Sequence, residues 1–249
     1  MPDRFEILGL PVDILDLKSL LSSAGALIAD ARRDGRPRTV AYLNVHVANT
    51  ARRDEDLTRF LRGVDLCYCD GAGVVLGARL LGHRLPERMT GADWIWDLAR
   101  EAQSRQWRIF WLGGEPGVTD RAAAELRDVH PNLHIDSDHG FHTPEATPAL
   151  LERIVACDPD ILLVGMGTPI QERWVAANLD ALTVPVVWCL GATADFVAGE
   201  VNRGPAWLHD NQEWLARLLT EPGRLWRRYL IGNPVFLARV VRQRLSGRE

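Results

Sequence analysis

The sequence predicts a three-layer α/β fold of the Rossmann-like type. Short, β-rich apolar runs alternate with helical patterns along most of the 249 residues, an order of elements that builds a mostly parallel sheet. The strand-like runs are continuously apolar, as expected of strands that helices cover on both faces. After about residue 200 the strand patterns stop and only helical patterns remain, which predicts a helical appendage at the C-terminus.

The individual elements follow from apolar spacing and from the residues that bound each run. Strands are expected at 39–45, 64–69, 108–112, 133–136, 161–165 and 185–190. Helices are expected at 54–62, 72–81, 92–105, 118–128, 147–156 and 170–181, and shorter ones at 212–220, 222–230 and 234–245. We therefore divide the chain into an α/β core (1–200) and the appendage (201–249).

Charge is distributed unevenly between these two parts. The net charge is −4. The appendage carries nine arginines against four acidic residues, so it is basic and the core is strongly acidic. An acidic core excludes a general nucleic-acid binder. Arginines interleaved with apolar residues in short helices indicate an appendage that lies on an anionic membrane. The alternative is an ordinary helix that packs its apolar stripe on the core.

The bulk sequence also predicts a compartment. No run approaches 18 apolar residues, so no transmembrane helix is expected. The first residues lack the basic and apolar segments of a signal peptide. The four cysteines form no CxxC pair or Cys/His cluster, which is typical of buried free thiols. These observations together predict a cytoplasmic protein.

Polar or glycine-rich segments follow five predicted strands, where ligands bind in open α/β sheets. They begin at Asn44, Asp70, Gly113, Gly165 and Gly191. Gly113 and Gly114 either present backbone N–H groups to a diphosphate or only make a tight turn. Neither the GxGxxG fingerprint nor the Walker pattern is present, which argues against a dinucleotide or ATP site.

Three polar residues at these strand ends each allow two interpretations. Asp70 is either a general base or the N-cap of the next helix. Gln171 is either a ligand contact or the N3 residue of a capping box that begins at Thr168. Asp195 is either a binding residue or a solvated loop residue. The histidines show no metal-ligand spacing and no DxD motif occurs, so we expect no metal site.

Arginines of the appendage form a second candidate group. Guanidinium groups bind phosphate in a bidentate manner and stay charged, so these side chains would suit a diphosphate. Their alternative is a solvated surface position. The candidates are Arg217, Arg224, Arg227 and Arg228.

Eight short motifs, in order, resemble the WecG/TagA/CpsF glycosyltransferases, which form glycosyltransferase family 26. The resemblance runs from about Tyr42 to Phe236. The motifs are Asp70-Gly71-x-Gly73-Val74-Val75, Arg88-x-x-Gly91-x-Asp93, Gly165-x-Gly167-x-Pro169-x-Gln171-Glu172, Gly191-x3-Asp195-Phe196-x2-Gly199, Arg203-x-Pro205-x-Trp207, Glu213-Trp214-x2-Arg217-Leu218, Glu221-Pro222-x-Arg224 and Arg227-Arg228-Tyr229.

The resemblance implies an inverting glycosyltransferase of the hexosyl or N-acetylmannosaminyl type. In such enzymes a sugar passes from a nucleotide donor, usually a UDP-sugar, to a saccharide carried on polyprenyl diphosphate. The reaction belongs to cell-surface or exopolysaccharide synthesis at the inner face of the plasma membrane. The resemblance implies no cofactor and no metal, and it leaves the oligomeric state open, a homo-oligomer included.

The resemblance also assigns roles to residues. By position, Asp70 matches the proposed general base, and Arg88, Asn44, Gln171 and Asp195 match pocket positions. The glycines Gly113, Gly114 and Gly191 are expected to line the same pocket. The appendage arginines named above match residues thought to face the diphosphate. Tyr42 stands where the family often has Thr, so no threonine role is carried over.

Two functions from other classes are weighed against this one. A nucleotide-cofactor oxidoreductase would use the turn at Gly113 and Gly114, but its fingerprint is missing. A non-catalytic scaffold recruited to the membrane would leave the polar residues at five strand ends without a purpose.

Overall fold

The computed structural model describes residues 2–200 and 226–247, and the statements below concern those residues. A short hairpin comes first and is formed by β1 (Arg4–Ile7) and β2 (Leu10–Asp13). The strands of the main sheet are β3 (Arg38–Leu43), β4 (Leu66–Cys69), β5 (Arg108–Gly113), β6 (His134–Asp138), β7 (Ile161–Gly165) and β8 (Val186–Cys189).

The main sheet confirms the predicted Rossmann-like fold. Its six strands are arranged in the order β4-β3-β8-β7-β5-β6, and every neighbouring pair is parallel. Parallel neighbours need crossover connections, which the helices supply. All carboxyl ends therefore lie at one edge of the sheet, called the carboxyl edge below, and all amino ends lie at the opposite amino edge.

Helices connect the strands and begin close to the predicted positions from residue 54 onwards. They are α1 (Leu17–Asp34), α2 (Val45–Ala51), α3 (Glu55–Gly63), α4 (Ala72–Leu81), α5 (Gly91–Arg105), α6 (Val118–Val129), α7 (Thr147–Ala156), α8 (Ile170–Asn178) and α9 (Thr193–Val197). A π-helical turn (Arg227–Ile231) leads into the C-terminal helix (Gly232–Leu245).

Two hydrophobic clusters, one on each face of the sheet, make the three layers. Successive side chains of a strand point to opposite faces. Accordingly Ile109 and Trp111 belong to the larger cluster, whereas Phe110 and Leu112 belong to the smaller one. All four side chains are buried. This pattern explains why the predicted strands are apolar at every position.

The first helices of the chain show where the strand prediction was wrong. The strand predicted at 39–45 ends at Leu43, because the Asn44 side chain accepts a hydrogen bond from Val47 N at 2.9 Å and starts α2. The alternation of Val45 and Val47 resembles a strand, but Asn at an N-cap position begins a helix.

The C-terminal helix, predicted at 234–245, packs against the core. Phe236 and Val240 are fully buried, and Phe236 lies against Gly77 of α4. Asn49 Nδ2 donates to Gly232 O at 2.9 Å, and Leu8 N donates to Gln243 Oε1 at 2.8 Å. The alternative of an apolar stripe packed on the core is therefore confirmed for this helix.

The remaining appendage predictions lie outside the described residues. These are the helix at 212–220, the beginning of the one at 222–230 and the boundary near residue 200. Within residues 2–200 and 226–247, no helix combines the length and apolar character needed to span a bilayer. The four cysteines are free, and Cys67, Cys69 and Cys189 are buried, as predicted.

Candidate active site

The ends of β3 and β4 bring Asn44 and Asp70 together. Asn44 Nδ2 donates to Asp70 Oδ2 at 3.1 Å. The amide is oriented because its oxygen is already used to cap α2, which leaves the NH₂ group to face the carboxylate. Both residues are half-buried. The geometry therefore holds a carboxylate in a fixed orientation where a ligand over the strand ends can reach it.

The N-cap interpretation of Asp70 is wrong. Helix α4 begins after Gly71, which is its N-cap and supplies no side-chain hydrogen bond. The Asp70 backbone N–H instead donates to Leu43 O at 2.9 Å and extends the pairing of β4 with β3 by one residue. This pairing fixes the Asp70 backbone at the carboxyl edge of the sheet.

Arg88 lies next to the end of β4, the strand that Asp70 follows. Met89 N donates to Cys69 O at 3.1 Å, which draws the loop before α5 next to the end of β4. The Arg88 guanidinium is partly buried and lies 3.9 Å from the carboxylate of Asp93 in the first turn of α5. The structure thus places Arg88 beside the strand end that carries Asp70.

Three glycines let the ends of β5, β7 and β8 approach closely. A Cβ atom on Gly113 would lie 2.4 Å from Gly165 O, and a Cβ on Gly165 would lie 2.6 Å from Gly191 O. Gly191 also has φ +67°, a conformation that favours glycine. The Gly114 N–H already donates to Gly165 O at 3.2 Å. This bond favours the tight-turn alternative for Gly113 and Gly114 over a nest for a diphosphate.

Gln171 lies beneath the loop after β8, and the capping-box interpretation is wrong. The N-cap of α8 is Pro169, which makes no side-chain cap hydrogen bond. The fully buried Gln171 instead accepts from Gly191 N at 3.0 Å and donates from Nε2 to Glu172 Oε1 at 2.8 Å. Its side chain therefore supports the Gly191 loop from inside the protein.

Glu172 is a buried acid to which the sequence analysis gave no role. Its Oε1 accepts from both Gln171 and Thr168, whereas Oε2 has no hydrogen-bond partner among the described residues. Burial raises the pKa of this carboxyl group, and the two hydrogen bonds only partly oppose that shift. Glutamate in a first helical turn ordinarily complements the helix dipole at the surface, so only the packing reveals this position.

Tyr42 joins β3 to the same network. Its hydroxyl lies 3.4 Å from Thr168 Oγ1, and a Cβ atom on Gly191 would come within 2.8 Å of it. The tyrosine is buried under the strand ends. Tyr42, which stands where the family often has Thr, thus lies against both the segment around Thr168 and the Gly191 loop.

Asp195 lies in a helix, so its interpretation as a solvated loop residue is wrong. It occupies the first turn of α9 and is half-buried. Thr193 Oγ1 donates to Leu190 O at 2.9 Å and fixes the start of this helix to the end of β8. The structure therefore couples Asp195 to the Gly191 loop.

The appendage arginines are only partly covered by the structure. Arg217 and Arg224 lie outside the described residues, as does the side chain of Arg228. Arg227 is exposed, and its guanidinium stacks on the Trp226 ring, 5.2 Å from the centroid. Their convergence on a diphosphate remains a prediction.

One group of potential metal ligands follows β6. The ligand atoms of Asp138, His139 and His142 lie within 4.8 Å of one another. Gly140 N donates to Gly114 O, so the group adjoins the turn after β5. Arg153 Nη2 lies 2.7 Å and His142 Nε2 lies 3.2 Å from Asp138 Oδ2. His139 and His142 were considered in the sequence analysis but were not grouped with Asp138, the residue directly before His139.

Together these residues define the class of the protein. A parallel sheet that gathers an oriented aspartate, an asparagine and a buried Gln–Glu pair at its carboxyl edge is typical of an α/β enzyme whose ligands lie over the strand ends.

The chain belongs to the WecG/TagA/CpsF family of glycosyl transferases, whose model matches residues 5–249. It is therefore a glycosyltransferase. It is similar to the N-acetylglucosaminyldiphosphoundecaprenol N-acetyl-beta-D-mannosaminyltransferase of Bacillus subtilis (strain 168). The two are 29% identical over 192 residues, which cover 77% of this chain and 74% of that relative.

Proposed function

We propose that the protein transfers an N-acetylmannosaminyl-type residue from a UDP-sugar to a saccharide on polyprenyl diphosphate, with inversion at the anomeric carbon. The observation that carries this proposal is the Asp70 carboxylate held by Asn44 at the carboxyl edge, in a chain of this family. The name of the Bacillus subtilis relative supports both the sugar transferred and the acceptor. We place the reaction in cell-surface or exopolysaccharide synthesis.

In the proposed reaction, Asp70 acts as the general base. The acceptor hydroxyl oxygen attacks the anomeric carbon while its proton passes to the Asp70 carboxylate, and the bond to the UDP oxygen breaks. Arg88 and the appendage arginines would stabilise the charge that develops on the departing diphosphate. Guanidinium groups can provide this stabilisation without a metal ion.

The Gln171–Glu172 pair would position the donor pocket rather than touch the sugar. Gln171 holds the Gly191 N–H, and the chain continues from Gly191 into the helix that carries Asp195. A shift of this loop would misplace Asp195, and small misplacements of binding groups cost much rate.

We further propose that the protein works as a peripheral protein at the inner face of the plasma membrane. Among the described residues, half of the exposed large apolar side chains lie between 226 and 245. Arginines are interspersed with them in this stretch. Leu230 and Leu245 are 57% and 82% exposed. Such a mixture of apolar and basic side chains suits the surface of an anionic bilayer.

A donor panel tests the proposed reaction. The protein is incubated with several UDP-sugars, UDP-N-acetylmannosamine among them, and a short-chain polyprenyl diphosphate that carries N-acetylglucosamine. We expect one sugar to be transferred with one UDP released per product, and the rate to persist in EDTA. Absence of transfer with every donor, together with tighter binding of NAD than of UDP, would favour the oxidoreductase alternative. Vesicle binding without any nucleotide binding would favour the scaffold.

A further inference from the structure

A pocket lined by arginines lies on a different part of the molecule, between the β1–β2 turn, the end of α2 and the C-terminal helix. Its volume is about 740 Å³, and Arg52, Arg62, Arg239 and Arg242 line it. A second cavity of about 630 Å³ shares Arg52 and Arg239 and adds Arg53, Arg227 and the acidic Asp54. We call the first cavity the arginine pocket.

Charges in the arginine pocket have few acidic partners: Arg52, Arg62 and Arg242 are exposed to solvent, and Arg239 is half-buried. Glu6 is the one acidic residue among those lining it. Arg62 Nε donates to Gly9 O at 2.9 Å and Arg239 Nη1 donates to Asn49 Oδ1 at 3.2 Å, both neutral acceptors. Among the described residues, neither Arg52 nor Arg242 forms an ion pair.

Two of the like charges, those of Arg52 and Arg239, oppose each other in the pocket. Burial lowers the pKa of Arg239, and the neighbouring Arg52 charge lowers it further. The hydrogen bonds of Asn49 to Gly232 and of Gln243 to the hairpin hold the C-terminal helix in this arrangement. An anion that enters the pocket would relieve the repulsion that the fold otherwise maintains.

We propose that the arginine pocket binds a phosphate group. Guanidinium groups match phosphate oxygens in a bidentate geometry. The apolar side chains of Val235 and Ile231 are exposed on the adjoining stretch of helix, where acyl chains would meet them if the phosphate belongs to a lipid headgroup.

The arginine pocket itself does not contain the candidate base or the other strand-end residues, although the adjoining cavity extends to Arg227. Arg52 caps the C-terminal end of α2, whereas Asn44 caps its N-terminal end. A helix of this length spans roughly 10 Å. The proposal therefore concerns a phosphate site at the other end of α2 from Asn44, and none of the arginines of the pocket is assigned a role in the proposed sugar transfer.

The test compares the double variant Arg52→Gln/Arg242→Gln with Arg79→Gln/Arg244→Gln, which also removes two exposed arginines but from positions outside the pocket. Binding to phosphatidylcholine vesicles with and without phosphatidylglycerol is measured by co-sedimentation, and binding of inorganic phosphate by calorimetry. We expect the pocket variant to lose roughly 30-fold in affinity for the anionic vesicles and the control about threefold or less.

The two ligand arms identify the source of the phosphate. Loss confined to the vesicles assigns the pocket to a lipid headgroup, and loss of inorganic phosphate binding as well assigns it to phosphate in general. Equal behaviour of the two double variants in both arms would overturn the proposal. Thermal unfolding and transfer to a short-chain acceptor check that the pocket variant is folded, because neither substituted arginine belongs to the proposed transfer site.

Discussion

The two edges of the main sheet both carry aspartates, but they hold them differently. At the amino edge, Asp160 accepts from Arg108 N at 2.8 Å and pairs with Arg32. Asp65 likewise accepts from Thr39 N at 2.8 Å and pairs with Arg36 at 2.6 Å. At the carboxyl edge, Asp70 accepts from the neutral amide of Asn44.

The difference separates carboxylates that stabilise the fold from one that a ligand can reach. The Asp160 and Asp65 side chains are only 9% exposed and tie the start of one strand to its neighbours. Asp70 is half-buried, is oriented by the Asn44 amide, and lies where ligands bind in open α/β sheets. The same residue type thus serves as an anchor at the start of a strand and as a candidate base at the end of one.

The largest effect should follow substitution of the candidate base. Asp70→Asn keeps the size of the side chain but removes its ability to take a proton. We expect transfer to fall roughly 10³-fold, with UDP binding and thermal unfolding close to those of the unsubstituted protein. Initial rates and UDP titration measure these quantities. Near-normal turnover would remove Asp70 from the role of base.

The same substitution at the amino edge should have the opposite consequences. Asp65→Asn removes a buried charge from a site with an arginine partner and a backbone donor. We expect unfolding free energy to fall by about 2 kcal/mol, while the transfer rate per folded molecule stays within about twofold. Urea unfolding and active-enzyme titration give the two quantities. A large loss of rate without loss of stability would contradict the division between the edges.

The Gln171 side chain, which holds the Gly191 loop at the carboxyl edge, can be changed while Asp70 is kept. Gln171→Met keeps the length of the side chain but leaves the buried Gly191 N–H without its acceptor. We expect the KM for the donor to rise about tenfold, and kcat to change by less than about threefold, because the Gly191 loop would lose its position. A uniform loss of folded protein would instead lower kcat and leave KM unchanged, which would show that Gln171 serves stability alone.

Much of this arrangement could be predicted from the sequence, because apolar runs bounded by Gly, Pro or Asp mark strands and helices from residue 54 onwards. Helix α1 was not predicted, although its sequence carries the signals of a helix. Its buried residues Leu20, Ala24, Leu27, Ile28 and Ala31 recur at helical spacing, and the Asp16 side chain caps its first turn. The serines and the glycine within it lower local propensity, but the apolar spacing was sufficient to indicate the helix.

Within the site, the sequence predicted which strand ends carry polar residues but not what those residues contact. Thr168, Pro169 and Gln171 satisfy a capping pattern, yet the Thr168 hydroxyl donates to Glu172 instead of capping α8. The bond between Gln171 and Gly191 joins residues from different strand ends. Such a contact depends on the order of strands in the sheet, which spacing along the chain does not specify.

The smallest effect should come from Glu172, which makes the stability of the carboxyl edge depend on pH. Its pKa is raised by burial, so the folded protein holds a proton that the unfolded chain releases. The free energy of unfolding therefore falls as the pH rises from the ordinary glutamate range through the raised pKa of Glu172 in the folded protein.

The variant Glu172→Gln lacks this titration and keeps an oxygen that can accept from Thr168 and Gln171. We expect the variant to be more stable than the unsubstituted protein at pH 8 by on the order of 1 kcal/mol, and the difference to shrink at about pH 5. Urea unfolding at both pH values measures it, with the exposed Glu125→Gln as the matched control. A variant that is less stable at pH 8 would show that the Glu172 carboxylate is charged and stabilising in its buried position.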